Sequence, residues 1–526
     1  MPALGRLQQG TTESQEWGIY SFAGGLNVRN FRSQQLLGDN DLVQAYNGYI
    51  TTGGFSMRNG MSVYQAAIVA GTNPCLGVAR FFQQVVNGAS VAVSPVTLAQ
   101  VVGELYNANT PAAIGSIGGS GAFPMTWVRC QDPNDPNYVS GNTDVIVICT
   151  GVNGPYIYDG TNLYTPSGWS AASGARWCSI VNGIVWFGGI GAYPRTIYGT
   201  GDGINASFET LPGYNEFVMS QPVTGLCALG TGAVASLAIG QNNGLSILFG
   251  TSPFNFSLQD VPFFFDGPVS GRAMVYEAGI MYFLGKQAVY AFDGSQVVPI
   301  SVKVEPWILN DAYVPGYPLS GDRTKSFMYV YNNRLHVGYI NGAGSVPNTI
   351  LVYDLVVQGW TVLQTTPGLY CAAALDAPTD SAPTQIIVGS SSGPAVYNWD
   401  VEPAIGSVAL DGASAITAIV QTKPFKIGAP GTTKVLTRTY PEFLLNGPIS
   451  GTQTVSLDYG TTTVSQTFGQ TALTQGAYIA PASRTDWSGA QGDAFSFQVK
   501  TTGNSSPWTF TGLTAVWQQR GKASAA

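Results

Sequence analysis

Gly-Ile-Val-Trp-Phe, from Gly183 to Phe187, decides the reading of this sequence because it comes back. It returns as Gly-Ile-Met-Tyr-Phe at Gly279 to Phe283 and, more loosely, as Arg-Leu-His-Val-Gly-Tyr at Arg334 to Tyr339. A second stretch follows each copy: Thr-Ile-Tyr-Gly (Thr196 to Gly199), Val-Tyr-Ala-Phe-Asp-Gly (Val289 to Gly294) and Leu-Val-Tyr-Asp (Leu351 to Asp354). Related pieces stand at Tyr156 to Gly160 and at Ala395 to Asp400. Each piece is short, rich in β-branched and aromatic residues, and bounded by Gly or Asp, the pattern of a strand that ends in a hairpin turn. The copies recur every roughly 40 to 55 residues, the period of propeller blades. One blade cannot bury its own faces, so several must stack around an axis. The expectation is an all-β chain with a propeller of about six or seven blades over residues 61–402, closed by N-terminal strands.

Outward from the repeat, the texture changes twice. Residues 1–60 read as an extended segment docking on the propeller, with one short helix over Asp39 to Asn47 and a strand, turn and strand over Gly48 to Gly60. Residues 403–520 read as longer alternating strands, among them Ala415 to Gln421, Lys434 to Leu445 and Thr509 to Trp517, and predict an antiparallel β-sandwich-like domain. Residues 521–526 read as a tail. Within the repeat region the spacing of Val96 to Tyr106 predicts a helix, and the Gly- and Ala-rich stretch 107–124 a loop insertion.

Only 10% of the 526 residues are charged, against 45% hydrophobic and 66 Gly. Such a surface must be covered by Ser, Thr, Asn, Gln and Gly. The formal net charge of −7 argues against binding nucleic acid by phosphate neutralisation, which needs clustered Lys and Arg. It suits a surface that DNA passes without sticking. The six Cys (Cys75, Cys130, Cys149, Cys178, Cys227 and Cys371) form no CxxC pair and read as buried free thiols. Neither a secretory leader nor a membrane span is predicted, so the protein reads as soluble and made in a cytoplasm.

Chemistry is sparse. A Ser-His-Asp or Cys-His arrangement would have to use His336, the single His, which sits in a repeat strand as a half-buried or solvent-facing residue. Asp132 and Asp135 could hold Ca²⁺, but Asp-Pro steps initiate turns without an ion. Paired carboxylates for glycoside hydrolysis would come from Asp266, Glu277, Asp293, Glu305, Asp354 and Asp400, most of them in turns where local capping is the simpler reading. Gly115 to Gly121 lacks the strand and Lys-Ser/Thr context of a phosphate cradle. Lys423, Lys426, Lys434 and Arg438 could touch DNA or an acidic partner, or line a solvated strand edge. Trp169, Trp177, Trp186, Trp360 and Trp399 could stack on sugars or fill blade cores. No catalytic, metal-binding or cofactor-binding residue is assigned, and the chain reads as a non-enzyme.

Two stretches carry a resemblance. The N-terminal Gly-Gly-Leu-Asn-Val, with Leu-Leu-Gly-Asp-Asn-Asp-Leu-Val-Gln-Ala-Tyr-Asn and Thr-Thr-Gly-Gly-Phe-Ser-Met-Arg-Asn-Gly after it, resembles the opening of tail tube or nozzle proteins of tailed phages. Pro268 to Trp307 is similar to a propeller blade of the same proteins. The resemblance implies a structural subunit of a tail nozzle, a homohexameric ring in the virion tail, assembled in the host cytoplasm. Its partners would be portal and adaptor proteins, tail fibres and double-stranded DNA that it retains and then conducts during ejection, with no cofactor. A receptor- or carbohydrate-binding propeller of a tail hub or fibre is the alternative.

Overall fold

The computed structural model describes residues 14–519 apart from 30–33, 35, 88–89, 120–122, 132–143, 202–207, 231–234, 263, 376–384, 405, 428–431, 471–477, 482–484, 488–489, 502 and 504. The chain forms two compact units. One spans Met61–Val352 and Leu363–Val401; the other takes Met1–Gly60, Tyr353–Val362 and Glu402–Ala526. Both are built from strands, and among the described residues the single α-helix is the four-residue Glu305–Ile308. No helix there is long and apolar enough to cross a membrane.

The first unit is a propeller of seven blades. Its innermost strands are Cys75–Asn87, Thr126–Gln131, Trp177–Val181, Val223–Leu229, Met274–Glu277, Phe327–Tyr331 and Leu369–Leu375. Each packs beside the next, and the last returns to the first, which closes the ring. The first five blades are four-stranded sheets of consecutive strands. In the seventh, Leu369–Leu375, Gln385–Ser390 and Val396–Val401 are completed by Gly60–Gln65, a strand from before the first blade. Asn398 Nδ2 donates to Ser62 Oγ across that seam at 3.2 Å. A strand from one end of the repeat thus finishes the sheet at the other and removes an open edge.

The recurring phrase maps onto the second and third strands of the blades. Ile184–Gly188, Ile280–Leu284 and Arg334–Tyr339 are second strands; Thr196–Gly199, Val289–Phe292 and Thr349–Asp354 are third strands. Gly183 and Gly279 open the phrase because each follows a residue with positive φ in a two-residue turn: Asn182 (53°) with Gly183 (77°), and Ala278 (49°) with Gly279 (89°). Two successive positive φ values make the turn whose twist matches antiparallel strands, and Gly adopts that conformation at least cost. Alternation then divides the blade between its neighbours. On Asp144–Cys149, Val145, Val147 and Cys149 pack with Trp169, Val185 and Phe187 of the third blade's core. Ile146 and Ile148 pack the other way, on Phe81, Val96 and Leu98 of the first. Both faces are buried, so the strand reads as a continuous apolar run.

Three local expectations are overturned. Val96 to Tyr106 is not a helix: it holds the end of Ser90–Val101, a turn at Val102 (φ 55°) and Gly103, and the strand Glu104–Asn107. Leu98, Val101, Val102 and Leu105 fall at helical spacing, yet cross-strand pairing and burial on two faces decide for strands. The 107–124 stretch is no mere insertion, since Ala112–Ser116 is the outermost strand of the first blade. Asp39 to Asn47 contains the strand Asp41–Tyr46, not a helix; Asp41 at its start receives Asn27 Nδ2 at 2.8 Å and the Gly38 N–H at 3.0 Å.

The second unit stacks two sheets. One has the order Gly48–Thr51, Gly54–Met57, Trp508–Gln519, Lys434–Leu445, Tyr478–Pro481, with Gln15–Ile19 also on Trp508–Gln519. The other contains Asp41–Tyr46, Ile419–Thr422, Phe495–Thr501, Ile449–Leu457 and Thr462–Gln470. The N-terminal residues are therefore not a separate segment: they supply strands to both sheets. Phe443 bridges the layers, 5.6 Å from Phe468 of the second sheet and 5.4 Å from Phe510 of its own. Strict alternation of burial along Ile449–Leu457 is what a sandwich strand requires.

Candidate functional site

The seven innermost strands surround a cavity of about 270 Å³ on the propeller axis. Its lining comes from six of those strands, with Val78, Thr126, Trp177, Cys227, Phe327 and Cys371 each from a different one, and from Arg272 in the turn before the fifth blade. At ~30 Å³ per water, that space holds about nine waters. Backbone comes close here: a Cβ on Gly225 would stand 2.5 Å from the Gly271 Cα.

Arg272 is the charge at this site. Its Nη2 donates to the Tyr370 carbonyl, its guanidinium lies 5.8 Å from the Phe327 ring, and its Nη1 is buried without a hydrogen-bond partner. Burial lowers its pKa to about 10, so it remains a cation at neutral pH. Arg176 lies over the rings of Phe123 and Trp177, at 4.1 and 4.8 Å. All six thiols are free, and burial pushes the Cys227 thiol up to about 12. Arg272 was not singled out by sequence reasoning, although an Arg behind Ser270-Gly271 at the start of a blade is a recognisable oddity in so weakly charged a chain.

His336 lies on Arg334–Tyr339 and is buried, not half-buried or solvent-facing. Its ring stacks on Tyr329 at 4.5 Å and meets Trp399 edge-on at 6.1 Å. Nδ1 is 3.0 Å from the Arg334 carbonyl, which can only accept, so Nδ1 carries the proton. Burial drives its pKa down to about 3 and keeps it neutral.

The candidate carboxylates are spread over separate elements. Asp293 accepts the N–H groups of Ser295 and Gln296 at 2.8 and 2.9 Å, and these bonds hold its carboxyl below the usual range. Asp354 accepts those of Val356 and Val357. Asp266 is buried on the loop before the fifth blade, where it accepts from Lys286 N, Gln287 N and the Tyr290 hydroxyl, so its Asp-Gly step is no hairpin turn. Glu277 ends a strand beside Ala278, Glu305 opens the short helix, and Asp400 holds φ 54°. Asp132 and Asp135 lie outside the described residues, as do Gly121 of the glycine-rich run and residues 521–526. Among the described residues no group of three His, Cys, Asp or Glu could hold a metal ion.

The five Trp are all buried, Trp177 the most exposed at 4%, so stacking on sugars loses its proposed residues. The basic group is consumed within its own unit. Lys423 pairs with Asp39 at 2.6 Å, Lys434 with Asp493 at 2.7 Å, Lys426 with the same carboxylate at 4.0 Å, and Arg438 with Asp486 at 3.3 Å. Lys434 and Arg438 belong to a strand paired on both sides, not to a sheet edge.

No protein-family model and no curated protein matches this sequence. Solved structures do resemble it in shape. BBS1N, solved in complex with ARL6DN, shares 13% identity over 56% of this chain and 93% of its own, with a TM-score of 0.34. The extracellular domain of the putative hybrid two-component system BT3049 from B. thetaiotaomicron shares 14% over 66% and 45%, with a TM-score of 0.36. The Neurospora crassa Pan2 WD40 domain shares 10% over 64% and 98%, with a TM-score of 0.34.

Proposed function

We propose that this chain is a non-enzymatic subunit of a phage tail nozzle, a ring that prolongs the portal and adaptor channel, retains packaged DNA and conducts it during ejection. The observation that carries the reading is the disposition of charge. The chain is acidic overall, and Lys423, Lys434 and Arg438 of its C-terminal region each face an Asp of the same unit. A wall of this kind gives phosphates little to exchange counterions with, so DNA slides without being trapped. The propeller axis is not the conduit: its cavity of about 270 Å³ takes about nine waters, whereas the major groove of a duplex alone is ~12 Å wide. The lumen would lie between copies. Phe254 and Phe265, 93% and 82% exposed on loops of the propeller, are the kind of surface that assembly covers.

Two measurements test this. Native mass measurement of the purified chain should show a ring near six times its 55.3 kDa mass. A specific antibody should label virions at the tail in negative stain. Labelling elsewhere, or a strictly monomeric chain that no portal or adaptor protein recruits, would refute the proposal.

A further inference from the structure

Two thiols meet where the propeller closes. Cys75 begins the innermost strand of the first blade, and Cys371 lies in that of the seventh, paired across its sheet with Gly389. A Cβ on Gly389 would stand 2.6 Å from Cys371 Sγ and 2.9 Å from Cys75 Sγ. The two sulfurs therefore share the room that the missing side chain leaves, and Cys371 Sγ is 3.7 Å from the Cys75 carbonyl. Cys371 also lines the axial cavity with Arg272, whose Nη2 is bound to the carbonyl of the preceding Tyr370.

We propose that Cys371 and Cys75 form a peroxide-reactive dithiol whose disulfide staples the seventh blade to the first. Cys371 is the reacting group. It lines the cavity while Cys75 is wholly buried; burial opposes its ionisation, but the adjacent Cys75 and the Arg272 charge bring its thiol below the ordinary value. Cys75, whose thiol donates to the Gly77 carbonyl at 3.4 Å, is held well above it by the adjacent Cys371 and by burial, so it keeps its proton until it resolves the intermediate. A thiolate is the nucleophile in such chemistry. Cys371 sulfur attacks one oxygen of hydrogen peroxide, the O–O bond breaks, and the departing hydroxide takes a proton to become water. Cys75 sulfur, giving up its proton, then attacks the Cys371 sulfenic acid; the S–O bond breaks, the S–S bond forms, and a second water leaves. Two thiols lose two electrons to the peroxide. The cavity admits a small hydroperoxide but not a bulky disulfide such as oxidised glutathione.

The test treats the folded full-length chain with hydrogen peroxide, blocks remaining thiols and maps peptides without reduction. The expected product is a Cys75–Cys371 cross-link that forms before any other cysteine is modified, with oxidised glutathione much slower. Cys75→Ser should stop at a sulfenic acid that dimedone traps on Cys371. Arg272→Met should slow the cross-link by about tenfold or more, as loss of a neighbouring cation does to a thiolate. Oxidation that begins at Cys130 or Cys227, dimedone capture on Cys75, or no cross-link in a chain whose circular dichroism remains native would overturn the proposal. Peptide mapping of the unmodified sequence decides this even if a variant fails to fold.

Discussion

The single His makes an acid-stability prediction unusually direct. His336 has a pKa of about 3 in the folded chain against 6.5 for an ordinary His. Its folded value is depressed, so the unfolded state binds the proton more readily. Stability is complete above pH 6.5, falls as the pH drops below that, and stops falling on this account below pH 3. At pH 5 the loss is RT ln(1 + 10^1.5), about 2 kcal/mol. Unfolding entropy of ~2.1 cal/mol/K per residue over the roughly 330 residues of the propeller unit converts this to about 3 °C in Tm. His336→Phe keeps the stack on Tyr329 but gives up the Nδ1–H bond to Arg334, a loss of about 1 kcal/mol at every pH. The variant should be less stable than the parent at pH 8 and more stable at pH 5, with the two melting curves crossing near pH ~6. Selective isotope labelling supplies the direct reading, since one His yields one imidazole resonance set. That set should keep neutral-form shifts from pH 8 to pH 5. Titration of the native resonance between pH 6 and 7, or two variants with parallel pH profiles, would refute the reasoning.

Three further outcomes are expected. Asp411→Ala should cost about 3–5 kcal/mol in thermal or denaturant unfolding, because Asp411 receives Arg58 Nη1 at 2.7 Å and both side chains are buried, leaving a guanidinium without its counter-charge; a cost under about 1 kcal/mol would contradict that role. Gly225→Ala should destabilise the propeller by about 1–3 kcal/mol, since the new Cβ meets backbone at Gly271 that cannot swing aside; an unchanged melting temperature would show that the innermost strands shift freely. The purified chain should bind duplex DNA weakly or not at all near physiological salt, and a steep dependence of affinity on salt concentration would reveal a phosphate-neutralising surface instead.

How much of this was legible follows from what periodicity can encode. Second and third strands of the blades declared themselves because the turns before them need residues at positive φ, hence Gly183 and Gly279, and because the strands are short and β-branched. The first blade hid its hairpin because Leu98, Val101 and Leu105 repeat at helical spacing by coincidence. His336 was misjudged for a related reason. Alternation assigns one face to water only where one face is wet, and Arg334–Tyr339 is buried on both. The acidic opening of Asp41–Tyr46 imitated a helix cap, while its true partners, Asn27 and the strand Ile419–Thr422, are distant in sequence. The axial site was illegible for the same reason, since six separate strands and the turn before the fifth blade each give it two or three residues and no local pattern links them.

Charge and closure point the same way about how the molecule is built. The propeller is closed by a strand that returns from before the first blade, so its integrity rests on hydrogen bonds and apolar packing at one seam. Ile68, Cys75, Tyr370, Cys371 and Ile387 form the core of that seam, which makes it the place where a covalent bond adds most, because it ties residues from opposite ends of the repeat. In the second unit Lys423, Lys434 and Arg438 lie against Asp partners of the same unit. With only 10% of residues charged, salt should alter stability little in the propeller and chiefly at exposed pairs such as Arg438 with Asp486. Apolar packing and backbone pairing respond weakly to monovalent salt, whereas surface ion pairs do not hold through it.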